Sequence, residues 1–349
     1  QMSRVGEIRN NNKGTNMKDE TKLFSYFQRY SRSLQNVVFE RTGNYFHDNL
    51  KQPLRFVYMC PLCVKNKIAA LNGYVHLDEE FNEDHFPPNS VGGKRKIMVC
   101  QKCNAVAGSE FDYSLKEWLK DKSATQWIKG TKIPVRLSLE NVKGNYKGSL
   151  IVKGAFSFEY DFKNYPLLKA RFDELAKGGT LIQTIKFDNP DINLVYKALL
   201  KSAYLYCFSI WGYDFVYSHT GKCIREVLIN SQKHILSNSG IFFHMASPFP
   251  PIGLCYIFKP VELQAFMVNF RLVDQATKFE CYASVLIPGA GENSWQELIP
   301  YQKIVDKQET FTNAFIQLPD NLVSSKNCFP FTTIWKQRST FRILGETDS

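Results

Sequence analysis

Cys60-Pro-Leu-Cys63, Glu83-Asp84-His85-Phe86-Pro87-Pro88, Ser90-Val91-Gly92-Gly93 and Cys100-Gln-Lys-Cys103-Asn104 follow one another in a single short stretch. Two Cys-x2-Cys pairs supply four soft thiolates, the number a tetrahedral structural zinc takes, and each two-residue spacer lets a tight knuckle present both sulfurs to one ion. Between the pairs, Asp84 is a hard oxygen ligand of the kind Mg²⁺ prefers, and His85 is an imidazole that titrates near neutral pH. Local architecture and local chemistry are therefore interleaved in one segment. Gly92-Gly93 permits a sharp turn, and Lys94, Arg95 and Lys96 directly after it place three cations where they can hold a phosphate backbone without reading bases. A solvated basic turn is the plainer meaning of the same run.

Working outward, the chain has 349 residues, enough for two domains. Apolar residues make up 44% and charged residues 22%, which suits a globular protein with a sizeable core. The longest apolar candidate, Ala203 to Trp211, is far short of the ~20 residues that cross a bilayer, so no membrane partner is expected. The first residues lack the apolar centre of a secretory signal, which makes the cytoplasm the expected location. A net charge of +11 favours an anionic partner, because Lys and Arg release counterions from nucleic acid. Of nine cysteines, Cys207, Cys223, Cys255, Cys281 and Cys328 stand singly and are expected as reduced core thiols.

Residues 1–20 are polar and rich in Asn, Lys and Gly, too poor in apolar side chains to repay ordering, and read as a flexible arm. From Thr21 to about Arg41, the apolar residues Leu23, Phe24, Phe27, Tyr30, Leu34, Val37 and Val38 follow a helical period. That helix and the stretch through Leu115, Trp118 and Leu119 form a first domain, 21–125. A second domain, 130–349, opens with β-like runs at Ile133–Leu139 and Ser149–Tyr160 around an expected turn at Gly144–Gly148. A long buried helix from Asn193 to Trp211 and short β-like runs at 254–258, 266–272 and 279–287 complete an α+β reading. The aromatic series Tyr204, Tyr206, Phe208, Trp211, Tyr213, Phe215 and Tyr217 is embedded among Leu and Ala without interleaved cations, which points to core packing over base stacking.

The motif order resembles the HNH endonucleases, or ββα-metal nucleases, in their four-cysteine form. The resemblance is carried by Cys60, Cys63, Glu83 to Pro88, Ser90 to Gly93, Cys100, Cys103, Asn104, Gly108 and Asp112. It implies a β-hairpin and helix around one catalytic Mg²⁺ or Mn²⁺, stapled by a structural Zn²⁺ on the four cysteines. It further implies His85 as general base, Asp84 as first metal ligand and Asn104 as the residue that orients the loop carrying the base. An Asn just after a zinc knuckle could alternatively cap the next helix. Where the family has a later His or Asn ligand this chain has Tyr113, so Asp112 is the expected second ligand, with Glu110 and Ser109 as rivals decided by the helix register around Gly108.

The implied activity is hydrolysis of DNA phosphodiesters by His-activated water, in a restriction or phage-defence setting. The C-terminal domain is left for DNA selection, sensing, or dimerisation with a second subunit or partner protein. Two alternatives stand beside it: a non-catalytic zinc-ribbon nucleic-acid-binding protein, and an RNA-directed nuclease.

Overall fold

The computed structural model describes residues 30–38, 56–65, 67–71, 74–77, 80–126, 129, 132–139, 142–153, 156–160, 163–175, 190–229, 240–259, 265–289 and 312–315. The arm at 1–20 lies outside these residues, and of the expected helix at 21–41 only 30–38 falls within them, as helix α1. Strands β1 (Phe56–Met59), β2 (Lys67–Leu71) and β3 (Tyr74–Leu77) form an antiparallel meander, followed by the hairpin β4 (Phe81–Phe86) and β5 (Arg95–Cys100). Helix α2 (Gln101–Val106) continues through a π-helical segment, Ala107–Asp112, into α3 (Tyr113–Thr125). Strands β6 (Lys132–Leu139), β7 (Val142–Val152) and β8 (Phe156–Tyr160) make a second meander. Four helices come next: α4 (Pro166–Leu175), α5 (Ile192–Trp211), α6 (Tyr213–Val216) and α7 (His219–Ile229). Strands β9 (Ile241–His244), β10 (Gly253–Lys259), β11 (Ala265–Val273), β12 (Glu280–Pro288) and β13 (Thr312–Phe315) form a five-stranded sheet in the order β13-β10-β11-β12-β9. The fold is α+β, and among the described residues no helix is long and apolar enough to cross a membrane.

Alternation is clear over the last four residues of β4, in the hairpin with β5. Asp84 and Phe86 face inward while Glu83 and His85 face outward, as the two-residue period of a strand requires. Phe81 pairs with Cys100 and His85 with Lys96, so the register places the second cysteine pair at the foot of the hairpin, where α2 begins. At the other end, Gly92 takes φ of 90°, and a Cβ on Gly93 would lie 1.6 Å from the Pro87 carbonyl oxygen. Both positions therefore demand glycine.

Helix α5 is buried all round from Val195 to Trp211, which makes it the axis of the core. The Asp191 side chain caps it by accepting the Asn193 N–H at 2.8 Å. Lys197, Lys201, Tyr204 and Phe208 recur at spacings of four, three and four, and this stripe meets the stapled segment. Phe208 stacks on Tyr30 of α1 at 4.6 Å between centroids, and Lys197 lies 5.5 Å from the Phe111 ring. On another side Trp211 meets Phe266 of β11, 4.8 Å between centroids. Buried residues from Tyr30 to Ile287 thus belong to one core that runs across the expected boundary near residue 130. Each large side chain in it contributes about 1.5–3 kcal/mol by burial.

Tyr204, Tyr206, Phe208, Trp211, Tyr213 and Phe215 are all buried in this core, as the sequence predicts. Cys207, Cys223, Cys255 and Cys281 are buried, while Cys328 lies outside the described residues. The expected turn at Gly144–Gly148 is corrected: those residues lie inside β7, with Leu139 paired to Val142. Gly148 serves a cross-strand contact instead, since a Cβ there would come within 2.3 Å of the Tyr160 ring on β8.

The first knuckle hangs on the core by tyrosine hydroxyls. Tyr213 Oη donates to the Met59 carbonyl and accepts the Met59 N–H at 2.7 Å, and Tyr204 Oη donates to the Pro61 carbonyl at 2.7 Å. Tyr213→Phe strands two buried backbone groups, so urea unfolding is expected to show a loss of about 1–3 kcal/mol with zinc still bound.

Candidate functional site

Cys60 and Cys63 follow directly on β1, and Val64 N–H closes their turn on the Cys60 carbonyl at 2.9 Å. Cys100 ends β5 and Cys103 sits in the first turn of α2, so a strand-to-helix junction faces a strand-to-turn junction. The four sulfurs all lie within 4.8 Å of one another, with Cys63 Sγ 3.8 Å from Cys100 Sγ. A tetrahedron of thiolates about 2.3 Å from zinc has an edge of about 3.8 Å, so spacing and donor softness fit such an ion. Burial, then the neighbouring thiols, push the Cys60 thiol well up. A bound divalent cation offsets that, because its ligands are thiolates. The four cysteines are close enough to bind a metal such as zinc.

Above this staple, Asp84 and Asp112 converge. Asp84 projects inward from β4, and Asp112 ends the π-helical segment. A π-helical stretch rotates the residues beyond it relative to an uninterrupted α-helix, and here it turns Asp112 inward while Tyr113 is 58% exposed. The rivals go elsewhere: Glu110 is exposed, and the Ser109 hydroxyl donates back to the Ala105 carbonyl at 2.9 Å.

A third residue, unassigned from the sequence, joins the pair. Lys201 Nζ donates to Asp84 Oδ2 at 3.0 Å and to Asp112 Oδ2 at 2.8 Å, with Asp84 Oδ1 at 3.4 Å. The three side chains are 1%, 5% and 14% exposed for Lys201, Asp84 and Asp112. Asp112 Oδ1 is buried without a hydrogen-bond partner. Burial pushes the Asp112 carboxyl up to about 6 against the pull of Lys201. Burial disfavours the Lys201 charge, but Asp112 and Asp84 outweigh it and hold the ammonium above its ordinary value. The signal available in the sequence is a lysine within Leu199-Leu-Lys-Ser-Ala-Tyr-Leu205, since a charge in an apolar helix has to find partners.

His85 occupies the opposite, outward face of β4, half-buried, and it is not drawn into the carboxylate–lysine cluster. Its pKa is lowered by burial first and by Lys96 next, while Asp84 is near enough to act the other way. Asn104 lies half-buried inside α2, one residue past Cys103. The helix starts at Gln101 with Cys100 as its N-cap, which removes the capping alternative for Asn104. Lys94, Arg95 and Lys96 are all exposed. Lys96 pairs with Glu83 at 3.1 Å, and the Arg95 guanidinium stands 4.8 Å from the Tyr206 ring centre.

Serine at Cys60 or Cys100 is expected to weaken zinc uptake, by metal analysis, and to lower the melting temperature, because the four thiols link the end of β1 to the start of α2. A second expectation concerns pH. The folded Asp112 carboxyl, at about 6, binds its proton more tightly than the unfolded one at 3.8, so its contribution to stability is greatest below the unfolded value and lost as pH rises through about 6. Urea midpoints of the wild type should therefore fall relative to Asp112→Asn between about pH 4 and 6 and level off above that, any loss of zinc being common to both proteins.

No family model, curated protein or solved structure matches the chain.

Proposed function

We propose that this chain is a metal-dependent DNA endonuclease of the HNH type. The observation that carries the reading is the convergence of Asp84 and Asp112 on one point beside a hairpin–helix unit stapled by four cysteines. One ligand from a hairpin strand and one from the following helix is the placement a ββα-metal site uses, with a carboxylate standing here where the family has His or Asn, and the unpartnered Asp112 Oδ1 is a hard ligand atom with nothing else to bind. Asp84 and Asp112 would hold Mg²⁺ or Mn²⁺. Such an ion supplies charge stabilisation to a phosphoryl transition state and its leaving oxygen.

The chain's own groups carry the remaining steps. His85, outside the cluster yet adjacent to Asp84, takes the proton from the attacking water. Asp84 and His85 face opposite sides of β4, so a phosphate engaged by both lies across the loop end of the hairpin, next to exposed Lys94, Arg95 and Lys96. Those cations hold the backbone electrostatically and without sequence preference. Asn104, anchored by the helix that begins at the staple, orients the segment carrying the base. Zinc on the cysteines is structural.

A second reading, a zinc-stapled nucleic-acid-binding protein without catalysis, is favoured by one observation. Lys201 already pairs with both carboxylates, as it would in a purely structural cluster. Plasmid digestion in Mg²⁺ or Mn²⁺ separates the two. The nuclease reading expects nicking or linearisation that drops about 10²–10⁴-fold in His85→Ala with zinc retained. Binding of plasmid without cleavage in either ion supports the second reading, and parallel digestion of structured RNA identifies the preferred substrate.

A further inference from the structure

We infer that Lys201 is a built-in counter-ion of the Asp84–Asp112 pair and exchanges places with the divalent cation when the site is loaded. This rests on the nuclease reading and adds to it a residue from outside the stapled segment. Three observations carry it.

First, the lysine matches the pair incompletely. Two carboxylates and one ammonium leave a net negative charge in a buried place, whereas a divalent cation brings the cluster to neutrality. Second, the ammonium meets three of the four carboxylate oxygens, Asp84 Oδ1, Asp84 Oδ2 and Asp112 Oδ2, leaving the fourth, Asp112 Oδ1, buried and unpartnered. A metal ion that takes oxygen ligands in a shell has use for that fourth atom.

Third, the displaced ammonium has somewhere to go. Lys201 forms part of the wall of a cavity of about 470 Å³, shared with Glu110, Phe111 and the metal-facing Cys63, Cys100 and Cys103. Lysine is a point charge on a flexible four-carbon stem, so its head can move while Cα stays within α5. Glu110 is the carboxylate on that wall, and a zinc tetrathiolate would add negative charge to it, offsetting the cations of Lys65, Lys102 and Lys197 that line the same cavity. With no ion bound, Lys201 keeps two like charges together and holds the ligands assembled. With an ion bound, the ammonium swings into the cavity toward Glu110 and remains protonated throughout.

The test is Mn²⁺ binding to the full zinc-loaded chain, followed by electron paramagnetic resonance of free Mn²⁺. Lys201→Met removes the competitor and is expected to bind Mn²⁺ about tenfold or more tightly than the wild type, within the usual span of coupling between mutually exclusive ligands. Asp84→Asn is expected to abolish binding in both backgrounds. Equal or weaker Mn²⁺ affinity in Lys201→Met, with Asp84-dependent binding intact, overturns the exchange and leaves the nuclease reading standing. No Asp84-dependent binding in either protein overturns both. Should Lys201→Met lose zinc or fail to fold, the wild type answers alone: acylation of Lys201, mapped by peptide mass spectrometry, rises on adding Mn²⁺, and unchanged protection at saturating Mn²⁺ overturns the exchange.

Discussion

Burying an ammonium at 1% exposure constrains everything around it. Lys201 costs several kcal/mol to desolvate unless opposite charges meet it with good geometry, and a misplaced partner leaves an uncompensated charge inside the protein. Its partners come from two different elements, Asp84 on β4 and Asp112 at the end of the π-helical segment. Helix α5 can therefore sit against the stapled segment in one register along its axis and one rotation about it. Once that is set, Tyr204 reaches the Pro61 carbonyl and Phe208 reaches Tyr30, because both lie on the same helical stripe as the lysine.

The four-cysteine cluster and the lysine cluster lie on two sides of the same unit. The four cysteines tie the end of β1 to the foot of the β4–β5 hairpin, and the tyrosines of α5 and α6 tie that first knuckle to the core. The segment also contributes Val57, Phe86, Val91, Ile97 and Val99 to the same core, so it is fixed by apolar packing as well as by these hydrogen bonds. Asp84 is positioned by both: the staple sets the hairpin, and the hairpin's alternation turns Asp84 toward α5 while leaving His85 on the outer face.

Legibility in the sequence follows the range of the interaction. The cysteine frame, the buried run of α5, the Leu115, Trp118 and Leu119 face of α3 and the strands around 254–287 all express periods or spacings of a few residues, and each is readable. Gly144–Gly148 reads as a turn and is a strand because glycine has two uses, freedom of φ and absence of Cβ. At Gly148 the second applies, and only the Tyr160 ring across the strand pair reveals it. The choice of Asp112 over Glu110 and Ser109 depends on a π-helical phase shift for which the residue types carry no local signature.

By itself the sequence determined the four-cysteine cluster, the α+β class and the burial of α5, since knuckle spacing, strand alternation and helical period are properties of neighbouring residues. The tertiary structure alone decided that Lys201 belongs with Asp84 and Asp112, 117 and 89 positions away. A lysine in an apolar helix announces that it needs an anion; which anion it receives is set by how the helix docks, and docking is a property of the whole core.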